Sequence, residues 1–385
     1  MKSTNKYFNF FISLYILQIL LLFIKSNILN LPYPFDTFNF TPSNIFGDWN
    51  STIKSSSQSN PYIWDFTLGN PAYFPFNYLF FKVLNYFELT TISFFITINY
   101  LFFIISFIKL SSFLKFNKQT LLIIMILLSH PVIFSIDRGS TDFISFSAIL
   151  LFLLLYLNKK FTLASLLLPI FAFKGYQMIY ALLFFKKGEY KYFFLSVFYF
   201  LLLNIFSLII FEGNLIDNLN YFLKALETHK HIYLLDKGSL HFYYDFFNFI
   251  RAILIFNDIP FSATSHLFYY HLFSLIFSFL VFIYIFKKKE IDIPYKLLLL
   301  TFILIIFPDA ANIYKGVYFL VPLILLINKN DNEDKFIIYL LLILIVPKNY
   351  WTLEFNGLQN NIDCLINPIT LLVLIVVTFL RLKKF

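Results

Sequence analysis

The sequence predicts an all-α membrane protein that crosses the bilayer many times, and three observations lead to this prediction. Hydrophobic residues make up 59% of the 385 positions. Only 13% of the residues are charged, far fewer than in a soluble domain of this length. Apolar runs of roughly 20 residues recur from end to end, and each is long enough to cross a hydrocarbon core about 30 Å thick as a helix.

Ten apolar segments are candidate crossings, which predicts a bundle of about ten transmembrane helices with further helices in the loops. The first segment follows Lys2 and Lys6. We interpret it as a retained helix, because it is longer than the apolar core of a signal peptide and no small-residue cleavage site follows it. The approximate bounds of the ten are 7–24, 89–108, 119–136, 142–157, 190–211, 266–286, 294–309, 314–328, 335–347 and 368–382.

The distribution of charge between the loops predicts the orientation of the chain. If the N-terminus is cytoplasmic, the loops on that side hold most of the Lys and Arg and few of the Asp and Glu. Positive charge is typically kept on the cytoplasmic side. We therefore expect a single integral domain, 1–385, in the cell membrane with both termini in the cytoplasm. Its long extracytoplasmic loops would be approximately 25–88, 212–265 and 348–367.

The segment 161–185 has cytoplasmic-type lysines on both sides, so it should cross an even number of times. It is too short for two full spans, and "FKGYQ" interrupts it. We therefore predict a re-entrant hairpin of two short helices with Lys174 and Gly175 at its tip. A charge at membrane depth is tolerated where it is buried in protein or lines a wet cavity. Lys174 is thus a candidate site residue. The alternatives are a structural pairing with a nearby carboxylate and a lysine that snorkels to an interface.

The net charge of +9 does not predict nucleic-acid binding, because the basic residues are scattered in short loops. Cys364 is the only cysteine, which rules out an internal disulfide and a cysteine-based metal site. Three histidines at 229, 231 and 241 lie in a polar loop without a clear carboxylate partner, so a solvated loop is favoured over a metal site. No cofactor is predicted, and a divalent cation stays open.

Several polar residues lie where the long loops meet the predicted membrane. Asp48 and Asp65 belong to the first long loop. A carboxylate beside an apolar surface gains proton affinity and can serve as a general base, but most loop carboxylates are solvated. Arg138, between Asp137 and Gly139, could offer its planar fork to a phosphate at headgroup depth. An ion pair of Arg138 with Asp137 or Asp142 is the alternative.

The order of these motifs resembles the glycosyltransferase family 87 branch of the GT-C superfamily. The matching features are a first helix, a long loop with an early Asp and "YFPFNYLFF", then "DRGSTD", "FKGYQMIY" and "PDAANIYKG". The resemblance covers roughly residues 7–328. It implies a GT-C-like helical bundle that uses a polyprenyl-phosphate sugar as donor and a glycan or glycolipid as acceptor.

The resemblance also implies roles for individual residues. Asp48 matches the family's catalytic base, and Lys174 matches a basic position of the family. The resemblance implies that basic residues hold the donor phosphate, and we expect Arg138, Lys174 and Lys315 to do so. The residues expected to contact substrate are Trp49, Tyr62, Trp64, Asp65, Tyr73, Asp137 and Tyr314. Two features depart from the family pattern. The usual Tyr-Pro-Pro is Tyr-Phe-Pro at 73–75, and "GDWN" lacks the partner acid that often lies beside the catalytic Asp in GT-C enzymes.

The function expected from the sequence is therefore an inverting hexosyltransferase of the cell envelope, of the mannosyltransferase type, acting on the extracytoplasmic face. A polymerase or ligase of lipid-linked glycans is one alternative, although the late loop 348–367 lacks the paired arginines that would favour it. A transporter or flippase of an amphipathic solute is the other. It would use the same cavity and Lys174 without needing Asp48 as a base.

Overall fold

A computed structural model describes residues 2–29, 45–63, 73–186, 188–230, 246–257, 259–260, 262–288, 291–307, 313–348, 352–355 and 358–383. Most of these residues are helical, in agreement with the predicted class. The α-helices are α1 (Lys2–Phe23), α2 (Gly47–Ser56), α3 (Pro75–Tyr86), α4 (Ile92–Phe113), α5 (Gln119–Leu127), α6 (His130–Arg138), α7 (Asp142–Leu157), α8 (Phe161–Phe171), α9 (Tyr190–Ile210), α10 (Leu215–Lys230), α11 (Phe246–Phe256), α12 (Ala263–Lys287), α13 (Ile293–Ile306), α14 (Leu320–Lys329), α15 (Lys335–Ile345) and α16 (Asp363–Lys383).

Shorter elements join these helices. The 3₁₀ segments are Tyr176–Phe184, Ile313–Phe319 and Asn332–Asp334, and α1 continues into a π-helical turn, Ile24–Ile28. Two strands, β1 (Thr352–Phe355) and β2 (Leu358–Asn361), form an antiparallel hairpin in which Thr352 pairs with Asn361. The all-helical prediction did not include this hairpin.

Four helical segments in the described residues are long and apolar enough to span a bilayer: Ile92–Phe113, Tyr190–Ile210, Ser265–Lys287 and Asp363–Lys383. The consecutive helices α5 and α6 are bent by 53° relative to each other, and they give a fifth candidate if the pair is counted as one broken span. The helices α7, α8 and α13 are apolar but shorter than the roughly 20 residues of a straight crossing. The expected total of ten spans therefore stays a prediction.

The chain divides into two compact units, and the expected single integral membrane domain stays a prediction. One, here called the terminal unit, comprises Met1–Ser43, Lys115–Phe134 and Asp236–Phe385. The other, here called the central unit, comprises Asn44–Leu114 and Ser135–Leu235. Each unit has its own apolar core.

The core of the terminal unit is formed by α13, α14 and α15. These helices are largely apolar, and most of their side chains are buried, as expected of helices enclosed by others. The helix α1 packs against α15 through edge-on contacts of Tyr7 and Phe10 with Tyr339. At the end of α16, Arg381 pairs with Asp331 at 2.9 Å and with Asp334 at 3.1 Å, which ties α16 to the start of α15.

The core of the central unit is built from α4, α7, α8 and α9. Phe103 of α4 lies 5.4 Å from Phe143 of α7, measured between ring centroids. The hydroxyl of Ser196 on α9 donates to the Ser165 carbonyl of α8 at 3.0 Å. Small polar side chains at such contacts let apolar helices approach closely. This core supports the loop residues described next.

The segment 161–185 is divided where the sequence predicted. The helix α8 ends at Phe171, residues 172–175 form a turn, and the 3₁₀ segment Tyr176–Phe184 follows. Gly175 has φ +76°, a backbone conformation that glycine adopts without strain. Lys174 and Gly175 thus lie at the break. Whether the pair of segments is re-entrant in a membrane stays a prediction.

Candidate functional site

The end of α6 fixes the position of Arg138. The N–H of Gly139 donates to the Ile136 carbonyl at 3.0 Å, and the N–H of Ser140 donates to the Ser135 carbonyl at 2.8 Å. With φ +69° at Gly139, these bonds form the Schellman motif that commonly ends a helix. Arg138 is the last residue of α6, where the negative end of the helix dipole favours a cation.

The start of α2 is held against this helix end. The N–H of Phe46, a residue in the left-handed region, donates to the Asp137 carbonyl at 2.7 Å. A Cβ atom at Gly139 would lie 2.5 Å from the Cβ of Trp49, so only glycine allows this approach. The indole N–H of Trp49 donates to the Thr90 carbonyl at 3.0 Å. The first loop is therefore anchored to α6 next to Asp48.

Asp48 and Arg138 form an ion pair. An Nη atom of Arg138 lies 2.5 Å from a carboxylate oxygen of Asp48. A Cβ atom at Gly47 would lie 3.1 Å from the other Nη, so a side chain there would crowd the guanidinium. The side chains of Arg138 and Asp48 are 18% and 14% exposed, so the pair is only partly buried within the protein.

A second ion pair lies deeper. The ammonium of Lys174 is 2.6 Å from a carboxylate oxygen of Asp142, whose side chain is fully buried. The hydroxyl of Ser140 donates to the same oxygen at 2.8 Å, and the hydroxyl of Tyr176 donates to the other. Asp142 is the first residue of α7, and its negative charge is also favoured by the dipole of that helix.

The two pairs belong to one electrostatic cluster, composed of Asp48, Arg138, Asp142 and Lys174. Lys174 lies close enough to Asp48 for their charges to interact. Its ammonium also lies 5.3 Å from the centroid of the Tyr73 ring, in a cation–π contact. The cluster holds two cations and two carboxylates, so its formal charge is zero. An incoming anion could therefore bind the cations only by competing with the carboxylates.

The turn that carries Lys174 is also packed against the first loop. A Cβ atom at Gly175 would lie 2.4 Å from the Phe74 ring, so glycine is required there on steric grounds as well. The N–H of Phe74 donates to the Phe173 carbonyl at 3.4 Å. Pro75 begins α3, where a missing N–H costs nothing, and the side chain of Asn204 accepts a hydrogen bond from the N–H of Phe76.

Most of the aromatic residues predicted to contact substrate are enclosed. Trp49 packs between Phe81 and Phe95, with ring centroids 4.9 and 4.5 Å away. Tyr62 is buried, and its hydroxyl donates to the Tyr73 carbonyl at 2.8 Å. Tyr73 is itself buried, with its ring facing Lys174. In this structure these rings support the cluster from within the protein and offer little face to a ligand.

The other predicted residues are distributed as follows. Asp137 is half-buried beside Arg138, and its Oδ2 atom has no hydrogen-bond partner in the described part of the chain. Tyr314 and Lys315 belong to the terminal unit, where the Tyr314 ring stacks on Phe134 and Lys315 is buried. Trp64 and Asp65 lie outside the described residues.

Sequence reasoning did not assign Asp142, Ser140 and Tyr176 to the site. It also suggested Asp137 or Asp142 as a structural partner of Arg138, whereas the structure pairs Arg138 with Asp48, 90 positions away. One signal could have identified Asp142. Asp142 is a carboxylate at the start of the apolar run "DFISFSAILL", and a charge buried at such a position requires a partner.

The fold and its apolar helices are those of a helical membrane protein. Comparison of the chain with protein-family models, curated proteins and solved structures finds no match. Within the described ranges, no group of three or more His, Cys, Asp or Glu side chains is placed to hold a metal ion. The function must therefore be inferred from the cluster itself and from the motif order of the sequence.

Proposed function

We propose that this protein is a membrane glycosyltransferase with a GT-C-like bundle of about ten spans and cytoplasmic termini. It would transfer a hexose, such as mannose, from a polyprenyl-phosphate sugar to a hydroxyl of a lipid-linked or glycan acceptor on the extracytoplasmic face. The motif resemblance supports this proposal. So does the cluster, which combines a carboxylate suited to deprotonate a hydroxyl with two cations suited to a phosphate.

The ion pair of Asp48 with Arg138 is the observation that carries the proposal. In the proposed reaction the acceptor oxygen attacks the anomeric carbon, and Asp48 takes the hydroxyl proton. The bond between the anomeric carbon and the phosphate oxygen breaks, and its electrons leave with polyprenyl phosphate. The negative charge that develops on the leaving oxygen is the charge that Arg138 and Lys174 would stabilise.

The short distance between base and cation imposes an order on this reaction. Inversion requires the acceptor and the leaving phosphate to lie on opposite faces of the sugar. A guanidinium 2.5 Å from the base must therefore move to the phosphate before transfer. In our proposal the donor phosphate draws Arg138 away from Asp48, which frees the carboxylate for the acceptor hydroxyl.

Lys174 is held differently from Arg138. Its ammonium contacts Asp142 at 2.6 Å, Ser140 at 3.2 Å and the face of the Tyr73 ring. These contacts fix its position, so it would contribute a stationary positive charge while Arg138 moves. This division of roles is consistent with the smaller exposure of the Lys174 side chain.

A transporter or flippase is the second candidate, because buried ion pairs within membrane segments often mark a solute pathway. The pair of Lys174 with Asp142 favours this alternative. A transporter would need that pair and would not need Asp48 as a base. The two functions therefore predict different consequences for variants of Asp48.

The discriminating experiment uses purified protein in liposomes that contain a radiolabelled polyprenyl-phosphate sugar and a crude acceptor fraction. A glycosyltransferase moves label into the acceptor and releases polyprenyl phosphate in equal amount. Asp48→Asn should stop this transfer, and Asp217→Asn, at an exposed carboxylate of α10, should not. Movement of the intact labelled lipid between leaflets, without transfer and unaffected by Asp48→Asn, would favour the transporter.

A further inference from the structure

The helix α10 has three distinct faces. Its buried face carries Asn218, Phe222 and Ala225, which follow the spacing of one helical stripe. Phe222 and Ala225 pack into an apolar cluster with Tyr62 and Tyr73. This face therefore joins α10 to the core of the central unit, next to the ring that contacts Lys174.

A second face is apolar and exposed. Ile216, Leu219 and Leu223 follow the i, i+3, i+7 spacing of a single face, and they are 71%, 43% and 52% exposed. The third face is polar: Asn220, Lys224 and Glu227 are exposed at i, i+4 and i+7. An exposed apolar stripe beside a polar one is typical of a helix that lies in the plane of a membrane interface.

Specific hydrogen bonds fix the orientation of this helix relative to α9. The amide of Asn218 donates to the carbonyls of Leu208 and Phe211 at 2.8 and 3.2 Å, and its oxygen accepts from Asn60 at 2.6 Å. Gly213, with φ +110°, allows the sharp turn between the two helices. The apolar stripe therefore cannot rotate into the core without breaking this network.

The candidate span α9 ends directly before α10. It exposes apolar side chains up to its last turn, among them Phe206, Ile209 and Ile210, which are the side chains expected to face lipid. Only residues 211–214 separate the two helices. The exposed apolar surface thus continues along the chain from a candidate membrane span onto α10.

From these observations we propose that α10 is an interfacial helix whose stripe of Ile216, Leu219 and Leu223 inserts into the bilayer at the boundary between headgroups and acyl chains. The polar face with Asn220, Lys224 and Glu227 points to the headgroups and water. The partner of this surface is the phospholipid leaflet in which α9 ends. This inference does not depend on the proposed enzymatic function.

The test places single cysteines on the two exposed faces in a Cys364→Ser background. Full-length protein in phosphatidylcholine liposomes carries an environment-sensitive fluorophore at position 219 or 223 of the apolar face, or at 220 or 224 of the polar face. We expect labels at 219 and 223 to emit at shorter wavelength and to be quenched by doxyl-labelled lipid. Labels at 220 and 224 should be quenched mainly by aqueous iodide.

Two results would overturn the proposal. Equal quenching of all four labels by iodide would place the apolar stripe in water. Protection of 219 and 223 from both quenchers would show that protein, such as a second copy of this chain, covers the stripe. If a cysteine at 219 or 223 prevents folding, position 216, the most exposed of the three, gives the same readout.

Discussion

The ammonium of Lys174 lies 2.6 Å from the fully buried carboxylate of Asp142. This pair joins the start of α7 to the break after α8, at the position where an apolar segment would otherwise contain an unpaired charge. Ser140 and Tyr176 donate to the same carboxylate, so both of its oxygens are hydrogen-bonded. Removing one member of such a pair leaves the other buried and unpaired.

We therefore predict that Asp142→Asn lowers the free energy of unfolding of the detergent-solubilised protein by an amount on the order of 3–5 kcal/mol, and so lowers its unfolding temperature. The double variant Asp142→Asn with Lys174→Met should recover part of the loss, because no unpaired charge remains. Size-exclusion chromatography after heating to a series of temperatures measures the loss of folded protein in both variants. If the loss of stability in the double variant equals the sum of the losses in Asp142→Asn and Lys174→Met alone, the two residues do not stabilise each other.

A second prediction concerns the contact of the first loop with α6. Gly139→Ala should lower the unfolding temperature more than Gly188→Ala. Both glycines have positive φ, so both substitutions add roughly 1–3 kcal/mol of backbone strain. At Gly139 the new Cβ also meets Trp49 at 2.5 Å, whereas at Gly188 no atom of the described residues lies within 4 Å. Equal losses for the two variants would argue against the close packing of Trp49 on α6.

The fold could be predicted from the sequence in part. Hydropathy located several of the apolar helices to within a few residues, and the bounds 142–157 and 190–211 nearly coincide with α7 and α9. The helices α2, α3, α10 and α11 lie outside the ten predicted crossings. Hydropathy did not locate the β-hairpin, and it merged α5 and α6 into one candidate crossing, 119–136, because an average over about 20 residues does not register the bend between them. The length of a hydrophobic run also does not distinguish a full crossing from a short buried helix.

The candidate site was likewise predicted in part. Asp48, Arg138 and Lys174 were singled out, and the structure brings all three into one cluster. The pairing itself could not be predicted, because it depends on contacts between distant segments. Gly139, which determines how closely α2 approaches α6, has the local sequence of an ordinary helix end. The sequence predicted that Trp49, Tyr62 and Tyr73 contact substrate, whereas the structure buries all three side chains within the protein.

A third prediction tests the proposed contact of Arg138 with the donor phosphate. Arg138→Ala should weaken apparent donor affinity by about 10- to 100-fold, the range expected for loss of a charge-assisted hydrogen bond. Arg138→Lys should recover only part of this loss, because an ammonium cannot make the bidentate contact of a guanidinium. Donor titrations of the transfer rate measure both. Unchanged donor affinity in Arg138→Ala would contradict a role in phosphate binding.

The ionic character of that contact leads to a fourth prediction. If Arg138 binds the donor phosphate, a donor analogue with a neutral group in place of the phosphate should bind wild type and Arg138→Ala equally. The charged donor should distinguish them. A comparable loss for the neutral analogue would show that the substitution disturbs the site as a whole and does not remove a charge contact.

The central claim is that Asp48 is the base of a sugar transfer, and Asp48→Asn tests it most directly because the substitution keeps the shape and removes the basicity. We predict that the turnover rate falls by about 10² to 10⁴ while the amount of folded protein stays near wild type. Donor binding should be as tight as in wild type or tighter, because Arg138 no longer has to leave a carboxylate. Asp217→Asn, at an exposed carboxylate of the same unit, should retain full activity. Near wild-type turnover in Asp48→Asn, measured with saturating donor and acceptor, would contradict the account.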